Sequence, residues 1–278
     1  MLSKAGWREP LKWNREAEAA GERRRVFCAS LADVFEDWQG PVLNHRGYRL
    51  LACRDCGRMA AEEPCAVCPQ CGRKDFSWAT LDELRRDLFT LIDDTRWLDW
   101  LLLTKRPENV RRMWPARRVA GPGGVGEVCN RLNVWLGTSI SDQGTAEEWV
   151  PRLLECDGLC PLLFLSAEPL LGPIDLSRYL KLAHHTGHVD DSTCWIDWVI
   201  VGGESGHGAR PCNIQWIRSI VALCKAAGVP CFVKQLGAEP VNYSGEQLRY
   251  LDKKGGDIDT WPADLRVREF PAISAAAS

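Results

Sequence analysis

Six short apolar runs punctuate the chain: Val26 to Ser30, Asp99 to Thr104, Asn133 to Ser139, Leu162 to Ser166, Asp197 to Gly202 and Pro230 to Lys234. Each ends in polar or glycine residues, and most precede a stretch of helical character, which predicts βα units rather than a meander. Between Thr145 and Glu155, Trp149, Leu153 and Leu154 recur at helical spacing; between Ile214 and Ala227, Ile217, Ile220, Val221 and Cys224 share one face. Gly228-Val-Pro then stops that helix before the last strand. Near-continuous apolar strands are those of a parallel sheet covered on both faces, so their carboxyl ends share one edge. The sequence puts Ser30, Thr104-Lys105-Arg106, Thr138-Ser139, Ser166 with Glu168, Gly202-Gly203-Glu204-Ser205 and Lys234-Gln235 at that edge. They converge if the sheet closes or nearly closes, as at the mouth of a β/α barrel. The expected fold is therefore α/β, a partial, TIM-like β/α barrel over residues 1–239, with a C-terminal extension over 240–278 that ends in a frayed tail.

Three segments interrupt this pattern. Residues 40–80 carry a cysteine cluster, residues 117–130 are rich in glycine, and residues 181–195 hold His184, His185 and His188. Cys53-Arg-Asp-Cys56-Gly and Cys68-Pro-Gln-Cys71-Gly are two Cys-x-x-Cys-Gly knuckles separated by eleven residues. Four thiolates so spaced suit one tetrahedral ion held by Cys53, Cys56, Cys68 and Cys71, with zinc the expected metal and a rubredoxin-like iron site its closest competitor. The inserted segment then reads as a zinc ribbon, structural in role because no coordination position is left open. Cys65 stays unassigned. Arg54, Arg58, Arg73 and Lys74 around the knuckles either meet phosphates or keep a small insert soluble. The glycine-rich segment lacks the Gly-Lys-Ser/Thr ending of a phosphate loop and is expected to be a flexible connection. The three histidines match no metallohydrolase spacing.

The chain has 278 residues, 45% hydrophobic and 26% charged, with a formal net charge of −2. That balance excludes a protein that coats nucleic acid by bulk charge, although arginines cluster at Arg23, Arg24 and Arg25 and again at Arg111, Arg112, Arg117 and Arg118. No stretch approaches the roughly 18 uninterrupted apolar residues of a membrane helix. The N-terminus has no apolar signal region, so a reducing cytoplasm is expected and the 13 cysteines read as thiols or ligands.

Several segments, Trp7-Arg-Glu-Pro-Leu-Lys-Trp-Asn-Arg15, Arg25-Val-Phe-Cys-Ala-Ser-Leu-Ala-Asp-Val-Phe35, Leu102-Leu-Thr-Lys-Arg-Pro107, Val134-Trp-Leu-Gly-Thr-Ser139, Phe164-Leu-Ser-Ala-Glu-Pro-Leu-Leu-Gly172 and Trp198-Val-Ile-Val-Gly-Gly-Glu-Ser-Gly206, together resemble a phage-protein family of uncertain function. It is named after gene products thirty-seven and sixty-eight and is also called the three-Cys-motif family; the resemblance runs from Trp7 to Gly237. It implies a partial barrel similar to radical S-adenosylmethionine enzymes, with three cysteines after the first strand holding a 4Fe–4S cluster. In the family that triplet lies upstream of the Trp-Arg-Glu-Pro-Leu-Lys-Trp segment, which here begins six residues after Met1. Cys156 and Cys160 have the first spacing of such a triplet, but Leu163 stands at its third position. The cluster and S-adenosylmethionine are thus expected only if a missing N-terminal segment exists; the start is recorded too late, or this member is truncated or degenerate.

Gly202-Gly203-Glu204 is similar to the Gly-Gly-Glu that binds the cofactor's amino group in radical enzymes, but it sits on a late strand rather than the second, and a tight glycine turn explains it equally well. The candidate pocket residues are Thr104, Lys105, Arg106, Ser139, Glu168, Glu204 and Lys234, as anion, amine or metal binders, with rim salt bridges as the competing explanation. The expectation is a body resembling a radical enzyme but inactive for radical chemistry as written. The alternative is a zinc-ribbon module that binds nucleic acid or a phage or host protein without catalysis.

Overall fold

The computed structural model describes residues 7–28, 33–43, 47, 49–54, 59–60, 68, 71–121, 124–181, 194–248, 252 and 254–272, with the backbone alone at 59–60, 118–121 and 124–128. The chain forms two compact units, one of residues 1–26, 34–100 and 111–129, the other of residues 27–33, 101–110 and 130–278. Among the described residues no helix is long and apolar enough to cross a membrane.

The first unit begins with α1 (Glu9–Ala20) and the amino end of β1 (Arg24–Cys28). Strands β2 (Leu51–Cys53), β3 (Met59–Ala60) and β4 (Phe76–Trp78) form an antiparallel sheet in the order β3-β2-β4. Helix α2 (Leu81–Asp94) starts at a capping box: Thr80 accepts from the Glu83 amide, and the Glu83 carboxylate accepts from the Thr80 amide at 2.8 Å. Phe89 of α2 meets Trp114 edge-on at 5.0 Å, and Phe35 stacks on Trp114 with ring centres 6.0 Å apart. Much of the arginine clustering is absorbed here by ion pairs, Arg23 with Asp99, Arg24 with Glu16, Arg112 with Asp37 and Arg117 with Asp93.

The glycine-rich segment corrects an expectation. After β5 (Leu98–Thr104) and α3 (Pro107–Met113), β6 (Arg117–Gly121) and β7 (Gly124–Val128) pair antiparallel from Arg117 opposite Val128 to Gly121 opposite Gly124. A hairpin ladder needs only backbone N–H and C=O groups, and the β-branched Val119, Val125 and Val128 favour extended backbone enough to offset the glycines.

The second unit carries a curled half-barrel of six parallel strands in the order β1-β5-β8-β9-β10-β12. Its later strands are β8 (Val134–Ile140), β9 (Leu162–Ala167), β10 (Trp198–Gly202) and β12 (Cys231–Gln235), so all six apolar runs are strands to within a residue or two. Helix α4 (Gln143–Leu154) follows β8, and β11 (Cys212–Asn213) leads into α5 (Ile214–Ala227); the short β11 pairs with β13 (Pro240–Val241). Helix α4 buries Ala146, Val150 and Leu153, and α5 buries Ile214, Ile217, Ile220 and Cys224, against the sheet.

Register sorts the strand residues between faces. Trp135 lies opposite Leu162, Gly137 opposite Phe164, Ser139 opposite Ser166, Phe164 opposite Trp198, and Ile200 opposite Phe232. Since strand side chains alternate, these residues share one face, while Val134, Leu136, Leu163, Leu165, Val199 and Val201 fill the other. The first face is an aromatic core in which Trp135 and Phe164 lie 5.7 and 5.6 Å from Trp198. Residues 261–272 close part of it. Trp198 donates its indole N–H to the Glu269 oxygen, Phe270 packs 5.4 Å from Trp198, and the Val233 amide bonds to Val267.

That packing is tight at Gly137, where an added Cβ would meet the Phe164 ring at 2.5 Å. Gly137→Ala must displace a fully buried aromatic ring and is expected to destabilise the fold by about 1–3 kcal/mol in urea denaturation. An unchanged midpoint would show that the core yields freely there.

Candidate functional site

Among the described residues two groups of side chains can do chemistry. In the first unit, Cys53 ends β2, and antiparallel pairing sets it opposite Phe76 of β4. Around the second knuckle the Cys68 amide bonds to the Arg73 oxygen, and the Gly72 amide returns to the Cys68 oxygen at 2.8 Å. Gly72 has φ of +74°, a left-handed conformation that suits glycine and turns the chain back beside Cys71. The Cys53 and Cys71 sulfurs are 3.6 Å apart, and with Cys68 all three lie within 4.8 Å of one another. Cys53 and Cys68 are buried and Cys71 is exposed. Among the described residues this is the one group of three or more His, Cys, Asp or Glu ligand atoms so placed, and it could hold a metal ion. Cys56, the fourth expected ligand, lies outside the described residues, as do Cys65, Arg58, His184, His185 and His188.

The second group lies at the carboxyl edge of the half-barrel. Beyond β9 the side chain of Glu168 is 14% exposed; Lys234 donates to its Oε2 at 3.2 Å and the Ser166 hydroxyl at 3.3 Å. Burial pushes the Glu168 carboxyl above the usual carboxylate range, and the Lys234 ammonium and Ser166 hydroxyl offset this only in part. Close approach explains Gly202: a Cβ there would stand 2.9 Å from Glu168 Oε1 and 3.0 Å from the Gln235 oxygen. Ser139 stands opposite Ser166 in register, on the same face.

The other expected residues belong to separate arrangements. Thr104 donates its hydroxyl to Asp33 at 2.7 Å, the Lys105 amide donates to the same carboxylate at 2.7 Å, and the Arg106 amide donates to the Thr104 hydroxyl at 2.8 Å. Thr138 donates to the Thr104 oxygen at 2.9 Å, tying the ends of β5 and β8. Asp33, which organises this corner, escaped the sequence reading; its one signal is an acidic residue shortly after the first strand. Glu204 is clamped by Arg210, whose backbone amide and guanidinium donate at 2.9, 2.7 and 3.0 Å, and these bonds hold its carboxyl down at about 2. A carboxylate so engaged is a structural anchor.

A 4Fe–4S cluster does not fit the described residues at this edge. Cys28, at the end of β1, is half-buried, and desolvation pushes its thiol up to about 11. Cys156 and Cys160 precede the amino end of β9, at the opposite edge, with their sulfurs against the oxygens of Arg152 and Leu162. Three thiolates do not converge there.

Comparison with known proteins yields one family model, described as "Protein of unknown function (DUF5131)", matching residues 73–260. The matched stretch contains the edge residues from Thr104 to Lys234 and begins after Cys71. No curated protein and no solved structure matches the chain.

The buried carboxylate has a measurable signature. Because the folded protein raises the proton affinity of Glu168, the protonated acid favours the fold below the ordinary glutamate range, and that contribution is lost as pH rises through the higher folded value. Glu168→Gln, a neutral isostere, is therefore expected to be more stable than the native chain at neutral pH and to lose that advantage as pH falls toward 4.5. Urea denaturation of both proteins across that range checks it.

Proposed function

The chain belongs to the DUF5131 family of proteins of unknown function, and on that premise we propose that it is a β/α half-barrel protein that binds a small polar ligand for acid–base chemistry at Glu168 and Lys234. One observation carries this: a carboxylate buried at the carboxyl edge of a parallel sheet, where β/α folds build their sites, is kept from full neutralisation by a single ammonium. A structural ion pair has little reason to bury its acid and leave its base 55% exposed. Glu168 is placed to hold or move a proton at its Oε2, the atom that already accepts from Ser166 and Lys234. The exposed ammonium of Lys234 is suited to an anionic group on the ligand, and Ser139 and Ser166 supply hydroxyls beside it.

The thiol cluster serves the fold in this proposal, with zinc held by Cys53, Cys56, Cys68 and Cys71. Two sulfurs each about 2.3 Å from a tetrahedral ion stand roughly 3.8 Å apart, close to the 3.6 Å between Cys53 and Cys71. Four thiolates leave no open position for a substrate, so zinc would contribute folding energy. Radical chemistry forms no part of the proposal, because among the described thiols Cys28 stands alone at the carboxyl edge while Cys156 and Cys160 precede the opposite end of β9.

Both parts are testable. A thermal-shift screen of amine-, carboxylate- and phosphate-bearing metabolites is expected to find ligands whose stabilising effect is lost in Glu168→Gln and in Lys234→Met. A ligand that stabilises both variants as it does the native chain sinks the assignment of the site. Metal analysis should give about one zinc per chain, lost in Cys53→Ser and Cys71→Ser; iron at or above the zinc level overturns the zinc assignment.

A further inference from the structure

A pocket of about 400 Å³ opens in the first unit, walled by residues 36–39, by the start of α2 and by the end of α3. That volume suits a small organic ligand. Its floor is the Trp114 indole, fixed by stacking on Phe35 and by its N–H bond to the Cys129 oxygen. Its wall is Trp38, 53% exposed yet held in place: the indole N–H donates to the Pro41 oxygen at 3.2 Å, and the ring lies over Gly40, where a Cβ would meet it at 2.3 Å. A large aromatic face kept in one orientation and left open to the pocket is the geometry of a stacking platform.

The charges around it are mostly satisfied. Asp37 pairs with Arg112 at 3.0 Å, and Asp82 pairs with the buried Arg85, which also donates to the backbone oxygens of Val34 and Glu36. Arg86 remains: it lines the pocket, is exposed, and makes no ion pair among the described residues. A rigid indole beside a spare guanidinium matches a planar heterocycle that carries a phosphate, since the ring stacks and the phosphate accepts two parallel N–H bonds. We infer that this pocket binds a nucleotide, free or at the end of a single strand, with the base against Trp38 and the phosphate toward Arg86.

Equilibrium dialysis of the zinc-loaded chain against AMP, CMP, adenosine and a 5′-phosphorylated oligoadenylate tests this. A phosphorylated ligand is expected to bind more tightly than adenosine. Trp38→Ala should weaken AMP or the oligonucleotide by about tenfold or more, the scale of a lost base–aromatic stack. Arg86→Gln, an exposed change that removes only a Coulombic attraction to Asp87, should weaken AMP while leaving adenosine unchanged. Gly40→Val, which deletes no contact group but displaces the Trp38 ring, should weaken AMP as Trp38→Ala does. Glu168→Gln should leave AMP binding intact, separating this site from the strand edge. Tighter binding of AMP assigns the pocket to free nucleotides, and tighter binding of the oligonucleotide assigns it to strand ends. Absence of binding at millimolar concentration, or equal binding by the native chain, Trp38→Ala and Arg86→Gln, overturns the inference.

Discussion

A parallel strand cannot hand the chain to its neighbour through a tight turn, because the next strand starts at the far end of the sheet; every return needs a crossover of a dozen or more residues. In the half-barrel that constraint does two things. It supplies the segments, α4 and α5 among them, that cover one face of β8 to β12. It also brings the carboxyl ends of β5, β8, β9, β10 and β12 to one edge, so that Thr104, Ser139, Glu168 and Lys234 share a rim although they are far apart in the chain.

The cost of that rim is concentrated in one residue. Taking a carboxylate out of water is expensive, and a lone ammonium repays it only in part, as the raised proton affinity of Glu168 shows. Glu204, at the next strand end, takes the opposite course: three donors from Arg210 engage it in solvent, and its proton affinity falls. The two acids would look alike in a list of strand-edge residues. Their environments push them apart, raising the proton affinity of one and lowering that of the other.

Much of the architecture was legible because strands buried on both faces cannot alternate. They read as continuous apolar runs, and Leu162 to Ser166 or Asp197 to Gly202 could hardly be anything else. Legibility fell wherever long-range pairing decides. The link from Lys234 to Glu168 crosses 66 positions, and Asp33 reaches Thr104 across 71, with no local pattern to announce either. The glycine-rich segment was read from its composition, whereas its hairpin depends on backbone pairing that composition does not encode. Cysteine spacing was the reverse case: Cys53 and Cys71 are 18 apart, yet the repeated knuckle predicts that they come together, and their sulfurs lie 3.6 Å apart.

Differences in how the two units are held together follow from their cores. The half-barrel buries the large side chains Trp135, Phe164 and Trp198 with Leu101, Leu162 and Ile200 on one face, and α4 and α5 pack against the sheet. The sheet beside the thiols has strands of two or three residues and, among the described residues, a core of Val42, Leu50, Ala52 and Ala79 with Leu81 and Leu84 packed against it. A core of that size offsets little of the backbone entropy lost by ordering the segment. Three converging thiols are placed so that a shared metal ion could supply a cross-link that offsets this deficit. Metal loading would then govern the thiol-bearing sheet far more than the half-barrel, since the two hydrophobic cores have no residue in common.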